Sequence, residues 1–276
     1  MPIIESGAQP MAKTQAKDPP KRGARQSDTL MVASVEKGFR VLNVFGPGRQ
    51  ELSLSQIADL TGLDVSGAQR FTHTLLALGY LNKDPGTRRL SLTPKTLDLA
   101  SHFLGGHRLV NNAMPYLMHL SKETEETVNL TLLDDTEIIF VARFMSRHML
   151  NTDVVIGTRM PAYCTAPGIA ILSRLPEDEA ITIIDRSKLI AYTEHTTVKR
   201  AALIDKIRLS AKQGYATQFE EFYLGDASIA AAVVDANGRP QGAVNLAVSR
   251  SRFTPDEMVQ RFGALVVAAA HTMSPA

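Results

Sequence analysis

The organisation of the chain depends on the stretch SLSQIADLTGLDVSGAQRFTHTLLALGYL, residues 53–81. In its first part, Ser53 and Gln56 have the spacing of a helix-capping box, and Gly62 is placed to end the helix that follows. The second part has the apolar period of another helix, which ends near Gly79. Two helices joined by such a short turn predict a helix-turn-helix motif.

The segments on either side of this motif predict a small domain. Upstream, residues 34–45 have helical spacing, with Ser34 as the N-cap. The predicted inward face of this helix consists of Val35, Phe39, Leu42 and Phe45. Downstream, two short strand-like runs flank a turn over residues 84–86, which predicts a hairpin, the wing of a winged helix.

One side of the second helix in the motif is polar and carries no acidic residue. This sector holds Ser66, Gln69 and His73, with Arg70 at its edge. The major groove of DNA admits a helix, and side chains of these types bond to base edges and phosphates. The alternative is an ordinary solvated helix face, although such a face usually mixes charges of both signs. The predicted DNA-binding residues are Ser66, Gln69, Arg70, His73, and the wing residues Arg88 and Arg89.

Composition and charge narrow the class of protein. Residues 1–100 carry 13 Lys and Arg against 9 Asp and Glu, whereas residues 101–276 carry 17 against 19, and a basic front part of the chain is compatible with nucleic-acid contact. The first 29 residues are polar and contain Pro and Gly, which predicts a disordered tail.

The single cysteine, Cys164, permits no intrachain disulfide and suits a reducing cytoplasm. We expect a cytoplasmic protein with no cofactor, no metal site and no membrane span.

The rest of the chain predicts a linker helix and a domain of class α+β. A helix starting at Pro94 and breaking at Gly105-Gly106 is expected to link two domains. Beyond it, strand and helix patterns alternate, and Asn237-Gly238 is a strong hairpin signal. A third strand is expected over residues 153–161. This order predicts an antiparallel or mixed sheet flanked by helices.

Several segments, taken in order, resemble the IclR family of bacterial transcriptional regulators. They are SVEKGFRVL, LSLSQIADLTGL, LLALGYL, ETVNLTLLD, EIIFVARF, GTRMPAYCTAPGIAIL, GYATQFEE and SIAAAVVDANGRPQGAVNLAVS. The resemblance implies homodimers or homotetramers that place paired N-terminal domains on near-palindromic double-stranded DNA. Besides the tail over 1–29, the expected parts are those that the resemblance implies: a winged helix-turn-helix domain over 30–93, a linker helix over 94–108, and a GAF-like effector-binding domain over 109–276.

Small residues in the last two strands predict a cavity, independently of this resemblance. They are Ser228, Ala230 and Ala232 on one strand, and Ala243, Asn245 and Ala247 on the next. If these faces adjoin, they leave space that a close-packed interior does not leave empty, and Asn245 and Ser228 supply polar contacts for a ligand. The alternative is a helix packed closely against the small residues, with Asn245 satisfied by backbone groups.

Carried over position by position, the resemblance adds four residues to the effector site: Ala166, Pro167, Gln218 and Asp226. It implies a small carboxylate as the effector. Ala247 stands where relatives often have serine, which makes the pocket less polar and favours a larger, aromatic acid. Arg143 and Arg159 are the candidate partners of the carboxylate, and each can equally be a structural ion-pair partner.

Two other classes of function compete with a regulator. Cys164 precedes a predicted helix and is a candidate nucleophile for a hydrolase-like enzyme, with His148 or His195 as the base, although no third orienting residue has a recognisable spacing. A winged helix can also serve as a protein-interaction module, a use that the wing arginines and the acid-free helix face oppose. We predict a sequence-specific DNA-binding regulator, not an enzyme, controlled by a small organic acid.

Overall fold

The computed structural model describes residues 30–147 and 154–274. The tail predicted over residues 1–29 lies outside the described residues. The chain divides into two compact units: unit 1, Met1–Ser101, and unit 2, His102–Ala276. Within the described ranges, none of the helices has the length and apolar character needed to cross a lipid bilayer.

The described part of unit 1 contains a helix-turn-helix and a small sheet. Its helices are α1 (Ala33–Leu42), α2 (Leu54–Thr61) and α3 (Val65–Ala77), and its strands are β1 (Glu51–Leu52), β2 (Leu81–Lys83) and β3 (Leu90–Leu92). The strands are antiparallel in the order β1-β3-β2. The winged helix-turn-helix prediction is therefore confirmed. The sheet also contains β1, which was not predicted because a strand of two residues is too short to leave a pattern in the sequence.

Local hydrogen bonds hold the helix-turn-helix in the predicted way. Ser53 Oγ accepts from the Gln56 N–H at 3.2 Å, and Gln56 Oε1 accepts from the Ser53 N–H at 2.9 Å. Gly62 ends α2 in the left-handed region, with φ 67°. Asp64 caps α3 by accepting from the Gly67 N–H at 3.2 Å. A Cβ at Gly67 would lie 2.5 Å from Asp64 Oδ1, so glycine leaves room for this cap.

Helix α1 differs from the prediction in the face that it buries. Of the four residues predicted to point inward, Val35 and Phe39 are 55% and 54% exposed, whereas Phe45 is buried and Leu42 is partly buried. The core of unit 1 gathers on the side of Val41. The N-cap prediction is also wrong, because the helix begins after Val32 and no side chain caps it, so Ser34 lies within its first turn.

Helix α4 (Thr96–Gly106) connects the two units along the chain, and α5 (Arg108–Thr124) follows it. The helix begins at Thr96 rather than at the predicted Pro94. It includes both Gly105 and Gly106 and ends before His107, which is not helical. The division between the units falls within α4. No residue of α4 is buried.

Unit 2 is built on a six-stranded sheet in the order β6-β5-β4-β9-β8-β7. Its strands are β4 (Thr127–Asp134), β5 (Glu137–Phe144), β6 (Arg159–Pro161), β7 (Ala216–Phe219), β8 (Asp226–Val234) and β9 (Pro240–Ser249). Every neighbouring pair is antiparallel, which confirms the α+β prediction. Strand β6 is shorter than predicted, because Gly157 adopts φ 90° and the chain turns there.

Helices cover both faces of this sheet. One apolar cluster joins the sheet to α5 and α9 (Pro255–Met273). A second cluster joins the opposite face to α6 (Ala166–Leu172), α7 (Glu177–Arg186) and α8 (Arg200–Gln213). The first face presents large side chains such as Leu246, whereas the second presents Ala230 and Ala243. This difference in side-chain size lets α6 approach the second face closely.

The close approach of α6 to its preceding turn makes Gly168 a sensitive position. A Cβ at Gly168 would lie 2.1 Å from the carbonyl oxygen of Ala162 and 2.5 Å from its Cα. Because these are backbone atoms, the helix must shift to accommodate a methyl group. We expect Gly168→Ala to lower the free energy of unfolding by roughly 1–3 kcal/mol, measured by urea denaturation.

Gly263→Ala is the matched control for this substitution. Gly263 is also buried in a helix of unit 2, but a Cβ there would meet its neighbours at ordinary distances of 3.8–3.9 Å. We expect Gly263→Ala to keep the stability of the wild type. Equal stabilities for the two variants would contradict the packing described for α6.

Candidate functional sites

The polar sector of α3 faces outward. Ser66, Gln69, Arg70 and His73 are all exposed. The opposite side of the helix is anchored in the core by Ala68 and other apolar residues. This sector is therefore available to a partner, and its role in DNA binding stays a prediction.

The two wing arginines differ in their surroundings. Both are exposed, and Arg88 lies in the hairpin turn with φ 61°. Arg89 is engaged within unit 1, where its Nη1 donates to the carbonyl oxygen of Glu51 at 3.1 Å. This contact ties the wing to the segment before α2, so Arg89 has a structural partner besides the DNA contact predicted for it.

One cavity of unit 2 brings together the residues predicted for the effector site. All seven line it: Ala166, Pro167, Gln218, Asp226, Ser228, Asn245 and Ala247. The cavity has a volume of about 60 Å³. The structure thus gathers positions that are far apart in the sequence, and effector binding at them stays a prediction.

Cross-strand pairs form the floor of this cavity. In one row, Arg143 on β5 pairs with Asn129 on β4, which pairs with Asn245 on β9. The next row consists of Thr127, Ala247, Ser228 and Gln218, on β4, β9, β8 and β7. Asp226 follows in the third row, opposite Ser249. The floor is therefore a regular array of mostly polar side chains on adjacent strands.

A β-bulge brings Arg143 to the same side of the sheet as the apolar wall of the cavity. Thr131 pairs with Phe140, whereas the residue before Thr131 pairs with Ala142, so Val141 is an extra residue in β5. Regular alternation places Phe140 and Arg143 on opposite faces. With the bulge, both side chains line the cavity.

The small residues of β8 and β9 were predicted either to leave a cavity or to let a helix pack closely against them. Each prediction holds for part of the sheet. Ser228 pairs with Ala247 and Ala230 with Asn245, so the small faces adjoin as predicted. Ala230 and Ala243 are fully buried in the cluster that contains α6, as the close-packing interpretation requires. The space opens only beyond them, over Ser228 and Ala247.

Asn245 is not satisfied by backbone groups. It is 3% exposed, and its Nδ2 donates to Ser228 Oγ at 2.9 Å. Its Oδ1 is buried and has no hydrogen-bond partner among the described residues. A buried acceptor in this state costs free energy.

Arg143 and Asp226 give the cavity its electrostatic character. Arg143 Nη1 donates to Asn129 Oδ1 at 2.9 Å, which orients the guanidinium group. Burial raises the pKa of Asp226 to about 7, against the attraction of the Arg143 charge, which lowers it. Burial also lowers the pKa of Arg143 from its ordinary value. A positive group therefore faces the cavity beside a carboxyl group that is partly protonated near neutral pH.

An apolar wall completes the cavity. Its members are Ile138, Phe140, Val154, Met160, Phe222 and Tyr223. The Phe222 ring lies 4.5 Å from the Tyr192 ring and 4.7 Å from the Tyr223 ring, centroid to centroid. Such an arrangement presents ring faces and edges against which an apolar or aromatic ligand group can pack.

Arg143 and Arg159, the two candidate partners of a carboxylate, lie in different surroundings. Arg159 forms ion pairs on the surface with Asp134 and with Glu137, the latter at 3.7 Å. Only Arg143 lines the cavity.

Two polar residues of β4, Thr127 and Asn129, line the cavity and were missed as cavity residues. Thr127, Asn129 and Thr131 alternate with large apolar residues, and all three are buried. That alternation was a usable signal, because a polar face on a buried strand indicates a polar site.

Cys164 is poorly placed to act as a nucleophile. Its side chain is buried, and its sulfur lies 3.8 Å from the carbonyl oxygen of Pro161. Burial raises the pKa of the thiol to about 12, so the reactive thiolate is scarce at neutral pH. His148, one of the candidate bases, lies outside the described residues.

A winged helix-turn-helix domain followed by a sheet domain with a polar cavity defines a class, the ligand-sensing transcriptional regulators. Residues 34–85 match the profile of the IclR helix-turn-helix domain, and residues 101–275 match that of the bacterial transcriptional regulator IclR C-terminal domain. The chain belongs to the IclR family.

Individual relatives agree in length and fold. The Pca regulon regulatory protein of Pseudomonas putida is 30% identical over 265 residues, which cover 95% of this chain and 90% of that protein. An IclR transcriptional regulator from Alicyclobacillus acidocaldarius has a TM-score of 0.77 at 21% identity, over 88% of this chain and 98% of that one. An IclR homologue from Microbacterium hydrocarbonoxydans, crystallised with 4-hydroxybenzoate, has a TM-score of 0.72 at 18% identity, over 87% and 97%. The two structures show a shared fold.

The raised pKa of Asp226 predicts a pH-dependent stability. In the unfolded chain this carboxyl group titrates near its ordinary value of 3.8, so the folded protein holds the proton more tightly up to about pH 7. Stability therefore falls as the pH rises through that interval. The Asp226→Asn variant cannot ionise at this position, so its stability should not show this fall. We therefore expect its free energy of unfolding, relative to that of the wild type, to increase by on the order of 2 kcal/mol between about pH 5 and about pH 8.

Asp185→Asn provides a control of opposite sign. A hydrogen bond from Arg200 lowers the pKa of Asp185, so that pair stabilises the folded state above the ordinary pKa and is lost as the pH falls. We expect this variant to lose stability at about pH 8. If the free energies of unfolding of Asp226→Asn and the wild type differ by the same amount at both pH values, the raised pKa assigned to Asp226 is contradicted.

Proposed function

We propose that this chain is a transcription regulator that binds near-palindromic double-stranded DNA through α3 and the wing. A small carboxylate bound in the cavity of unit 2 controls that binding. The observation that carries the proposal is that one cavity is lined by all seven predicted effector positions and by Arg143. A ligand alters DNA binding only if it binds one arrangement of the protein more tightly than another.

The surface of α3 suits the major groove. Gln69 can bond adenine through both groups of its amide, and Arg70 can bond guanine or phosphate. Ser66 and His73 extend the same sector toward bases and phosphates. Arg88 and Arg89 on the wing can contact the phosphate backbone, a contact that positions the protein without reading sequence.

The cavity suits an organic acid. The planar guanidinium of Arg143 can bind a carboxylate through two parallel hydrogen bonds, and Asn129 holds it in orientation. The apolar wall with Phe140 and Phe222 accommodates a hydrocarbon or aromatic group. The 4-hydroxybenzoate bound by the Microbacterium homologue supports an aromatic carboxylate as one candidate.

Pairing of two chains accounts for apolar surface that one chain leaves uncovered. Five large side chains of α1 and α4 are more than half exposed: Val35, Phe39, Leu97, Leu99 and Phe103. Large apolar side chains that a single chain leaves exposed can mark an interaction surface. We infer a homodimer, or a homotetramer built from it, with two copies of α3 on one operator. Because its partner is DNA, we place the protein in the cytoplasm.

A double substitution in the polar sector of α3 tests the DNA contact. We expect Gln69→Ala with Arg70→Ala to weaken binding at least about tenfold, since each removes a groove contact. The probe is a duplex selected from a random pool by the wild-type protein, and fluorescence anisotropy over a salt titration gives the affinity. Wild-type binding should weaken steeply with salt.

Arg208→Ala is the control for the loss of positive charge. Arg208 is an exposed residue of unit 2 that pairs with Glu177, far along the chain from α3. It should leave DNA affinity unchanged. If the α3 double variant binds the selected duplex as the wild type does, the groove contact is rejected.

A second pair of variants tests the carboxylate site. We expect Arg143→Gln to abolish the rise in melting temperature that organic acids cause, because a ligand that binds only the folded state stabilises it. Arg159→Gln removes the same charge from the surface and should keep the rise. Calorimetric titration of aromatic and aliphatic acids identifies the ligand for this comparison. Retention of the shift by Arg143→Gln would contradict the site.

A further inference from the structure

The C-terminal end of α3 is held by the segment that leads into the linker helix α4. Three successive carbonyl groups follow the last helical residue of α3, and each accepts a hydrogen bond from this segment. Thr93 Oγ1 donates to the Gly79 carbonyl at 2.6 Å, and the Thr93 N–H donates to the Tyr80 carbonyl at 3.0 Å. Lys95 Nζ donates to the Leu78 carbonyl at 2.9 Å. Because the last carbonyl groups of a helix have no partners within it, bonds from another segment fix where this end lies.

The apolar core holds α3 less firmly toward this end. Ala68 and Leu75 are buried in the core of unit 1, whereas Leu78 is 53% exposed. Tyr80 packs partly against the core, and Lys95 Nζ lies 5.2 Å from the centre of its ring. The positive charge of Lys95 also lies at the C-terminal end of α3, where the helix dipole favours it. The contacts of Lys95 therefore hold the part of α3 that apolar packing reaches least.

We propose that Thr93 and Lys95 are positioning residues for the reading of DNA sequence. By holding the C-terminal end of α3, they set the angle at which its polar sector meets the base edges. This inference rests on the proposed function, in which Gln69 and Arg70 contact the major groove. Groups that recognise a partner must be held within roughly 0.5 Å of their required positions. A tilt of α3 therefore disturbs bonds to bases, whereas the general attraction of basic residues to phosphates persists.

Thr93 and Lys95 also belong to the start of the linker. The Thr93 carbonyl accepts from the Thr96 N–H at 3.2 Å and from Thr96 Oγ1 at 2.8 Å. The Lys95 carbonyl accepts from the Asp98 N–H at 3.2 Å. The first turn of α4 is thus bonded to the residues that hold the end of α3, and all of them lie within unit 1. A change in the direction of α4 reaches α3 through these bonds.

The ratio of two affinities tests the inference on the full-length protein. One affinity is for the duplex that the wild type selects from a random pool. The other is for a duplex of the same length and base composition in scrambled order, and fluorescence anisotropy measures both. We expect Lys95→Met and Thr93→Val each to lower this ratio at least about fivefold, because each removes a bond to the end of α3.

Lys83→Met is the control variant. Lys83 is exposed on β2 of the same unit, so its substitution removes the same charge but none of the bonds to the end of α3. It should leave the ratio unchanged, whatever it does to the affinity for both duplexes. Thermal unfolding gives the melting temperature of each variant, and the titrations are made below the lowest of them, where all the variants are folded.

Each outcome separates the inference from the proposed function. An unchanged ratio in Lys95→Met or in Thr93→Val overturns the positioning role of that residue, and the proposed function stands. If Lys95→Met weakens binding equally for both duplexes, with a shallower salt dependence, Lys95 is a phosphate contact and its positioning role is rejected. If the wild type itself binds both duplexes equally, the proposed function fails and the inference fails with it.

Discussion

The register of β9 between β4 and β8 is the constraint on which unit 2 depends. It places Val244, Leu246 and Val248 on one face of the sheet, where α5 and α9 cover them. It places Asn245 and Ala247 on the other face, over which the cavity lies. A shift by one residue would exchange the two sets, because side chains alternate along a strand. The apolar core therefore fixes the face of the sheet on which Asn245 and Ala247 lie.

This arrangement buries several polar groups that partly satisfy one another. Arg143 bonds to Asn129, and Asn245 bonds to Ser228, so neither pair depends on solvent. Asp226 adds a carboxyl group whose pKa is near 7. Burying these groups costs stability, and the two apolar clusters on either side of the sheet offset that cost.

Periodicity in the sequence reports which residues share a face, but it does not report what covers that face. The pattern of α1 placed Val35, Phe39 and Phe45 on one face, and the prediction that this face points inward is right for Phe45 but wrong for Val35 and Phe39. Helix α4 has the same property, since none of its residues is buried. An apolar face that a partner covers has the same pattern as one that the core of the same chain covers.

Local hydrogen bonds made the helix-turn-helix and the turns readable from the sequence alone. The Ser53–Gln56 capping box and Gly62 follow from groups within a few residues of one another. Alternation supplied three cavity residues, and the family resemblance supplied four more. Only the tertiary structure brought Arg143 to the cavity, through the extra residue Val141, and left Asn245 Oδ1 without a partner. Those outcomes depend on pairing and burial between segments far apart in the chain, where no local pattern records which group each one meets.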